Sequence, residues 1–242
     1  MALTRLDKAV SHLTGLTRKQ AFKLIREGRV SVEDLVLTDA ACKIDENAEI
    51  VIDEDSIGTA AEAEALRYFM VNKPLDTLCA DHDRNSAVVM DLFREELNSE
   101  SLHCAGRLDK DTTGLIIVTD DGAFIHDITS PRKELPKTYV AVVDGVLSDS
   151  MVERFASGLK HPEEKKPYRP ALLKILNEHE AEVTVTEGRF HEVKRLFECC
   201  GLNVTSLKRI AIGGLTLDDT LDEGEFRQLD ENELEQIFEG AD

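Results

Sequence analysis

Apolar residues in this chain come in runs no longer than a β-strand, with Leu115–Val118 and Tyr139–Val143 among the longest. A membrane-spanning helix needs roughly 20 consecutive apolar residues, so membrane insertion is excluded and the interior has to be assembled from short strands and amphipathic helices. The 242 residues suffice for a small and a medium domain, each with its own core. A hydrophobic share of 42% beside 32% charged residues describes a soluble folded chain, not a disordered or fibrous one. The first 30 residues are charged throughout and lack an apolar signal core, which predicts a cytoplasmic protein.

The formal charge of −19 argues against a polyanion partner when taken globally, because such binding is driven by Lys and Arg on phosphates. Its distribution argues the opposite. Residues 1–30 carry Arg5, Lys8, Arg18, Lys19, Lys23, Arg26 and Arg29 against Asp7 and Glu27, whereas residues 213–242 carry eleven acids against Arg227 alone. A basic face can coexist with an acidic, solvating remainder. The five cysteines include an adjacent pair and show no C-x-x-C spacing, so they are expected as reduced core residues. His161, His179 and His191 lack ligand spacing, and no metal site is expected.

Thr17-Arg18-Lys19-Gln20 fits a capping box and Gly28 suits a helix end, which predicts a short basic helix over 17–27. Leu3, Leu6, Val10 and Leu13 recur at helical spacing before it, and residues 29–32 and 48–52 have strand character after it. Asp53–Ala65 (DEDSIGTAAEAEA) is acidic, rich in small residues and without aromatic anchors, and is expected to be a linker. The expected division is therefore 1–58, a linker at 59–66, and 67–242. In the last part, strands are expected at 68–72, 114–119, 138–144, 171–176 and 181–186, and helices at 86–97, 149–159 and 190–200. Asp230-x-x-Glu233 caps a final helix. Short turns between strands favour an α+β fold with a mixed, mainly antiparallel sheet flanked by helices.

The densest polar cluster, Gly106–Gly114 (GRLDKDTTG), runs directly into Leu115–Val118. Two carboxylates two residues apart, bounded by glycines and fed by a rigid strand, can set one acid in a cleft while the other pins the loop. An acidic surface turn paired with Arg107 and Lys110 satisfies the same pattern. On a helix starting near Phe190, a 100° step puts Phe190, Val193, Leu196, Phe197 and Cys200 on one stripe. Lys194 then lies at its margin and Arg195 on the far side.

The segment GRLDKDTTGLIIVTDDG resembles the signature loop of the RsuA-type pseudouridine synthases. The resemblance continues through RYFMVNKP (67–74), SPRKELPKTYVAVV (130–143), EGRFHEVKRLF (187–197) and LKRIAIGGLTL (207–217). The first 58 residues resemble the S-four-type RNA-binding domain of a ribosomal small-subunit protein. An ordered set of motifs over nearly the whole chain is more specific than one short pattern. One departure stands out: the family usually reads K-P-x-G after its first catalytic-domain strand, and here Asp76 follows Lys73-Pro74-Leu75. Without Gly, a left-handed turn is less easily reached.

The resemblance implies a two-domain, cofactor-free enzyme, acting as a monomer, that isomerises uridine to pseudouridine in ribosomal RNA, with uridine 516 of 16S small-subunit rRNA as the target. It assigns Asp109 as the catalytic carboxylate and places a basic residue beside it, for which the helix geometry selects Lys194. Arg195 is left to solvent or phosphate. Tyr139 is assigned as a further catalytic residue that stacks on the flipped uracil and helps remove the C5 proton, and Leu207 packs near the base. Arg18, Lys19, Lys23 and Arg26, with Arg107 and Arg195, are the candidate RNA contacts. Alternatives are a large-subunit (23S) rRNA pseudouridine synthase, a non-catalytic RNA-binding assembly factor, and a glycoside hydrolase using Asp109 and Asp111.

Overall fold

The computed structural model describes residues 3–96 and 99–239. The chain divides after Leu66 into two compact units, with the 95–101 segment belonging to the first.

In the first unit, β1 (Leu3–Arg5) leads into α1 (Leu6–Thr14), and α2 (Arg18–Arg26) starts at Thr17, where the expected capping box is formed with Gln20. Leu3 therefore belongs to a strand rather than to the helix its spacing suggested. β2 (Val30–Val32), β3 (Leu35–Val36), β4 (Lys43–Asp45), β5 (Glu49–Ile52) and β6 (Asp55–Thr59) follow, then α3 (Ala60–Glu64). The order β3-β2-β5-β6 is antiparallel throughout, and β1 pairs β4. Leu6, Val10, Ile25, Val30 and Ile50 form the core. The stretch expected as a linker is thus folded. β6 extends the sheet, Thr59 and Glu62 make a capping box, and Ala60 and Ala63 are buried one helical turn apart. Small residues dock a helix closely without an aromatic anchor, which composition alone did not reveal.

The second unit is built on a sheet of order β11-β12-β10-β13-β9-β7-β15. Its strands are β7 (Tyr68–Lys73), β8 (His103–Cys104), β9 (Thr113–Thr119), β10 (Lys137–Val143), β11 (Leu172–Ile175), β12 (Glu180–Val185), β13 (Val204–Ile212), β14 (Leu215–Thr216) and β15 (Phe226–Gln228). Among the strands of the described residues, β9 and β13 are the one parallel pair; β8 pairs β9 and β14 pairs β13. The helices are α4 (Gly122–Thr129), α5 (Asp149–Ala156), α6 (Glu192–Glu198) and α7 (Glu231–Phe238), the last capped by Asp230 and Glu233 as expected. Alternate residues of β7 and β9 feed two cores. Phe69, Val71, Ile116 and Val118 face one side, and Met70, Leu115 and Ile117 the other. A strand covered on both faces has no polar side, hence the unbroken apolar run.

Three local expectations change. Of the helix expected over 86–97, residue 97 lies outside the described residues, and 86–96 contain a 3-10 turn at Val89–Phe93, where the Asp91 carboxylate accepts the Val88 N–H at 3.0 Å. The helix expected from Phe190 starts at Glu192, because His191 is in the left-handed region (φ 52°). The five cysteines are half-buried rather than fully enclosed. No helix among the described residues is long and apolar enough to cross a membrane.

Candidate active site

The loop after β8 is shaped by two glycines in the left-handed region, Gly106 (φ 96°) and Gly114 (φ 99°). Between them the Thr112 N–H donates to the Asp109 carbonyl at 3.1 Å and the Leu108 N–H to Cys79 Sγ at 3.3 Å. Lys73, at the end of β7, is fully buried. Its Nζ donates to the carbonyls of Pro74 (2.9 Å), Lys110 (3.3 Å) and Thr112 (2.8 Å), tying the strand to the loop. Burial pulls this ammonium below the ordinary lysine range. The neighbouring turn keeps its left-handed residue despite the missing glycine: Asp76 itself has φ 56°, a conformation aspartate reaches more readily than most side chains.

Asp109 presents its carboxylate to a cavity of about 450 Å³. Lys194 Nζ donates to Asp109 Oδ2 at 3.1 Å and to Asp111 Oδ1 at 2.6 Å, so the apolar stripe on α6 did orient this lysine inward. Burial lowers the Lys194 ammonium, but its bonds to Asp111 and Asp109 outweigh that and raise it above the usual value. Asp111 is held below the ordinary carboxylate range by the same lysine. Asp109 is 30% exposed and Lys194 16%, a partly desolvated pair that bulk water screens weakly.

Strands β10 and β13 supply the opposite wall. Tyr139 is buried and pairs in register with Arg209, and Leu207, two residues along β13, also lines the cavity. Arg209 is buried and donates from Nε to the Leu115 carbonyl at 2.7 Å. Lys137, two residues before Tyr139, lines the same cavity and donates to the Leu135 carbonyl at 2.9 Å. Burial and the nearby Arg209 bring Lys137 down to about 8 from 10.5. Below pH 8 this lysine is charged whether the chain is folded or unfolded. Between about 8 and 10.5 the folded state releases its proton first, the unfolded state binds more protons, and the contribution to stability rises with pH. The melting temperature of wild type relative to Lys137→Met is therefore expected to increase from pH 8 to pH 10; a pH-independent difference would contradict the burial of this ammonium.

Asp109, Lys194, Tyr139, Leu207 and Arg107 thus meet in one cavity, Arg107 as an exposed side chain at its edge. Arg195 does not join them. It bonds Glu163 at 3.0 Å and also Glu164, and only 16% of its side chain is exposed, so the expectation of a cation left to solvent does not hold. The 160–167 loop supplies those acids, a long-range pairing that helical periodicity could not anticipate. Arg18, Lys19, Lys23 and Arg26 form an exposed face of α2 in the first unit, with Arg18 bonded to Asp7 at 2.8 Å and Lys23 3.7 Å from Glu27.

His191, without metal-ligand spacing in the sequence, also reaches this site. Its Nε2 lies 3.5 Å from Asp109 Oδ1, and its ring stacks on Phe190 with centroids 3.7 Å apart. Phe190, expected on the buried stripe, is 66% exposed because the helix begins after it. Among the described residues no group of three or more His, Cys, Asp or Glu side chains is placed to hold a metal ion.

Comparison with known proteins places the site in a family. The RNA pseudouridylate synthase model matches residues 67–199 and the S4 domain model residues 4–50. The chain is 37% identical over 233 residues to ribosomal small subunit pseudouridine synthase A of Haemophilus influenzae, and 39% identical to that of Escherichia coli K12, in each case covering 96% of this chain and 99% of the relative. The Vibrio parahaemolyticus protein of the same name is 40% identical over 236 residues, 97% of this chain and 99% of that one. A crystal structure of a pseudouridylate synthase superimposes with a TM-score of 0.69 at 37% identity, covering 96% of this chain and 99% of that one. With a carboxylate–lysine pair in a cavity of the second unit and an S4 domain matched at residues 4–50, the chain belongs to the RNA pseudouridylate synthase family, as a homologue of its RsuA-type small-subunit rRNA members.

Proposed function

We propose that this protein isomerises one uridine of small-subunit ribosomal RNA, uridine 516 of 16S rRNA, to pseudouridine. The observation that carries the reading is Asp109 in the cavity wall, 3.1 Å from the Lys194 ammonium, with Tyr139 and Leu207 lining the same space. The reaction breaks C1′–N1, turns the uracil and joins C5 to C1′, so it needs an anionic group at the sugar and a surface on which a freed base can turn. Asp109 supplies the first, either by attacking C1′ or by taking a proton from C2′. The Tyr139 ring and Leu207 supply the second. Lys194 keeps the carboxylate counter-charged while the base excludes water.

A uridine stacked in RNA is out of reach, so the target is single-stranded or extruded, and unstacking costs a few kcal/mol. The exposed basic face of α2 provides phosphate contacts that offset this cost and raise the local concentration of the target loop. The hydrolase alternative fits less well. Asp109 and Asp111 share one ammonium and lie on one loop, rather than flanking a bond from opposite sides.

The test is to map pseudouridine in 16S and 23S rRNA after incubation with the protein. Conversion at the single 16S site is expected; conversion confined to 23S rRNA, or none, overturns the assignment. In the same assay Lys19→Glu with Lys23→Glu is expected to weaken RNA binding and to lower the slope of log affinity against log salt by about 1 to 2. An unchanged slope removes α2 from the interface.

A further inference from the structure

Beside the loop that carries Asp109, packing brings together two cysteines from distant parts of the chain. The 79–81 segment lies against β8, where the His103 ring is hydrogen-bonded to Asp81, Nδ1 to Oδ1, at 3.0 Å. Cys79 and Cys104 flank that pair, and their thiols are hydrogen-bonded to one another. Both are half-buried and both pack against the core that Phe69, Val71, Ile116 and Val118 enter. Each is also tied to the Asp109 loop. The Leu108 N–H, one residue before Asp109, donates to Cys79 Sγ at 3.3 Å, and the Gly106 N–H donates to the Cys104 carbonyl at 3.0 Å.

The two sulfurs are not equivalent. Cys104 donates its S–H and Cys79 accepts it. That bond, the Leu108 N–H and the Lys73 and Arg209 cations hold the Cys79 thiol below its ordinary value against the opposing effect of burial, whereas the same contact and burial push Cys104 up. Lys73 is the fully buried ammonium that bonds three carbonyls, and Cys79 is the foremost of the negative charges acting on it. A thiolate beside cations, with a second thiol against it, attacks an electrophilic oxidant and is then resolved by its neighbour.

We propose that Cys79 and Cys104 form a modification site for hydrogen peroxide, closing a reversible disulfide that displaces the Asp109 loop. The Cys79 thiolate attacks one peroxide oxygen, the O–O bond breaks, and hydroxide departs from a Cys79 sulfenic acid. The Cys104 sulfur then bonds the Cys79 sulfur, and its proton joins the displaced hydroxide as water. Overall two thiols and one peroxide give one disulfide and two waters, with two electrons passing from sulfur to oxygen. Disulfide sulfurs are about 2 Å apart, closer than in any hydrogen bond. Cys104 is held in β8 opposite Val118 of β9, so the 79–81 segment is the part that moves. Cys79 Sγ is drawn from the Leu108 N–H and loses its negative charge, which removes a support of the loop next to Asp109. Formation of the bond stands on these residues alone; its effect on turnover rests on the functional reading above.

The experiment treats the full chain with hydrogen peroxide, alkylates the remaining thiols and maps tryptic peptides; cleavage at Arg84 and Arg94 separates the two cysteines. A disulfide between Cys79 and Cys104 is expected as the first cross-link, with Cys42, Cys199 and Cys200 still alkylated. In Cys104→Ser, where the sulfenic acid cannot be resolved, dimedone is expected to mark Cys79. Oxidised wild type is expected to convert 16S rRNA about 100-fold more slowly in a single turnover, and dithiothreitol to restore the rate. Absence of that cross-link, or its formation only after the other thiols have reacted, overturns the site. Failure of dimedone to mark Cys79 overturns its place as the attacking sulfur. A cross-linked protein that turns over like the reduced one overturns the control of the loop. Reduced protein that converts no uridine overturns the functional reading, while the peptide map still decides the modification.

Discussion

Asp109→Asn is expected to cut single-turnover pseudouridine formation by about four orders of magnitude while leaving RNA affinity and the melting temperature close to wild type. An amide can neither attack C1′ nor take a proton from C2′, so the lost group is the reacting one. The fold should tolerate the change, because Lys194 keeps its 2.6 Å bond to Asp111 and no ammonium is stranded. The side chain is also part-exposed, so removing its charge opens no cavity. Turnover within a factor of ten of wild type would transfer the catalytic role to another group.

Gly114→Ala is expected to destabilise the second unit strongly. Gly114 opens β9 at φ 99°, and a Cβ there would lie 2.2 Å from the Arg209 carbonyl oxygen and 2.8 Å from its nitrogen. These are backbone atoms of the adjacent parallel strand, so neither can swing away, and relief requires parting β9 from β13. A loss of about 4 kcal/mol or more is the expected order for such a clash at a strained backbone, or a fall in melting temperature of roughly 10 °C for a domain of this size. The same strand separation would displace the Asp109 loop from Tyr139 and Leu207, so residual folded protein should convert uridine more slowly. A variant that melts within a degree of wild type would show the β9–β13 approach to be looser than described.

Both expectations rest on features legible in different ways. The R-L-D loop, the strands on either side of the catalytic cavity and the inward turn of Lys194 follow from local pattern. Glycines bound a polar loop, β-branched runs make strands, and the stripe of Val193, Leu196 and Phe197 fixes which face of α6 is buried. Other features could not be read this way. Lys73 ends an apolar strand and gave no hint that its ammonium is enclosed by three carbonyls, two of them from a loop nearly 40 residues on. Arg195 is paired with acids more than 30 residues before it. The segment expected as a linker folds because Ala60 and Ala63 meet a core that the assembled first unit provides.

Hydrogen-bonding capacity, capping and hydrophobic period act over a few residues, so the elements and the chemistry they can carry are legible along the chain. Which charges meet is set by packing in three dimensions. Asp109 lies between Lys194 and His191 because β9, β13 and α6 are packed around one cavity. The energy of such an encounter depends on distance and burial in space, and neither is encoded by separation along the chain.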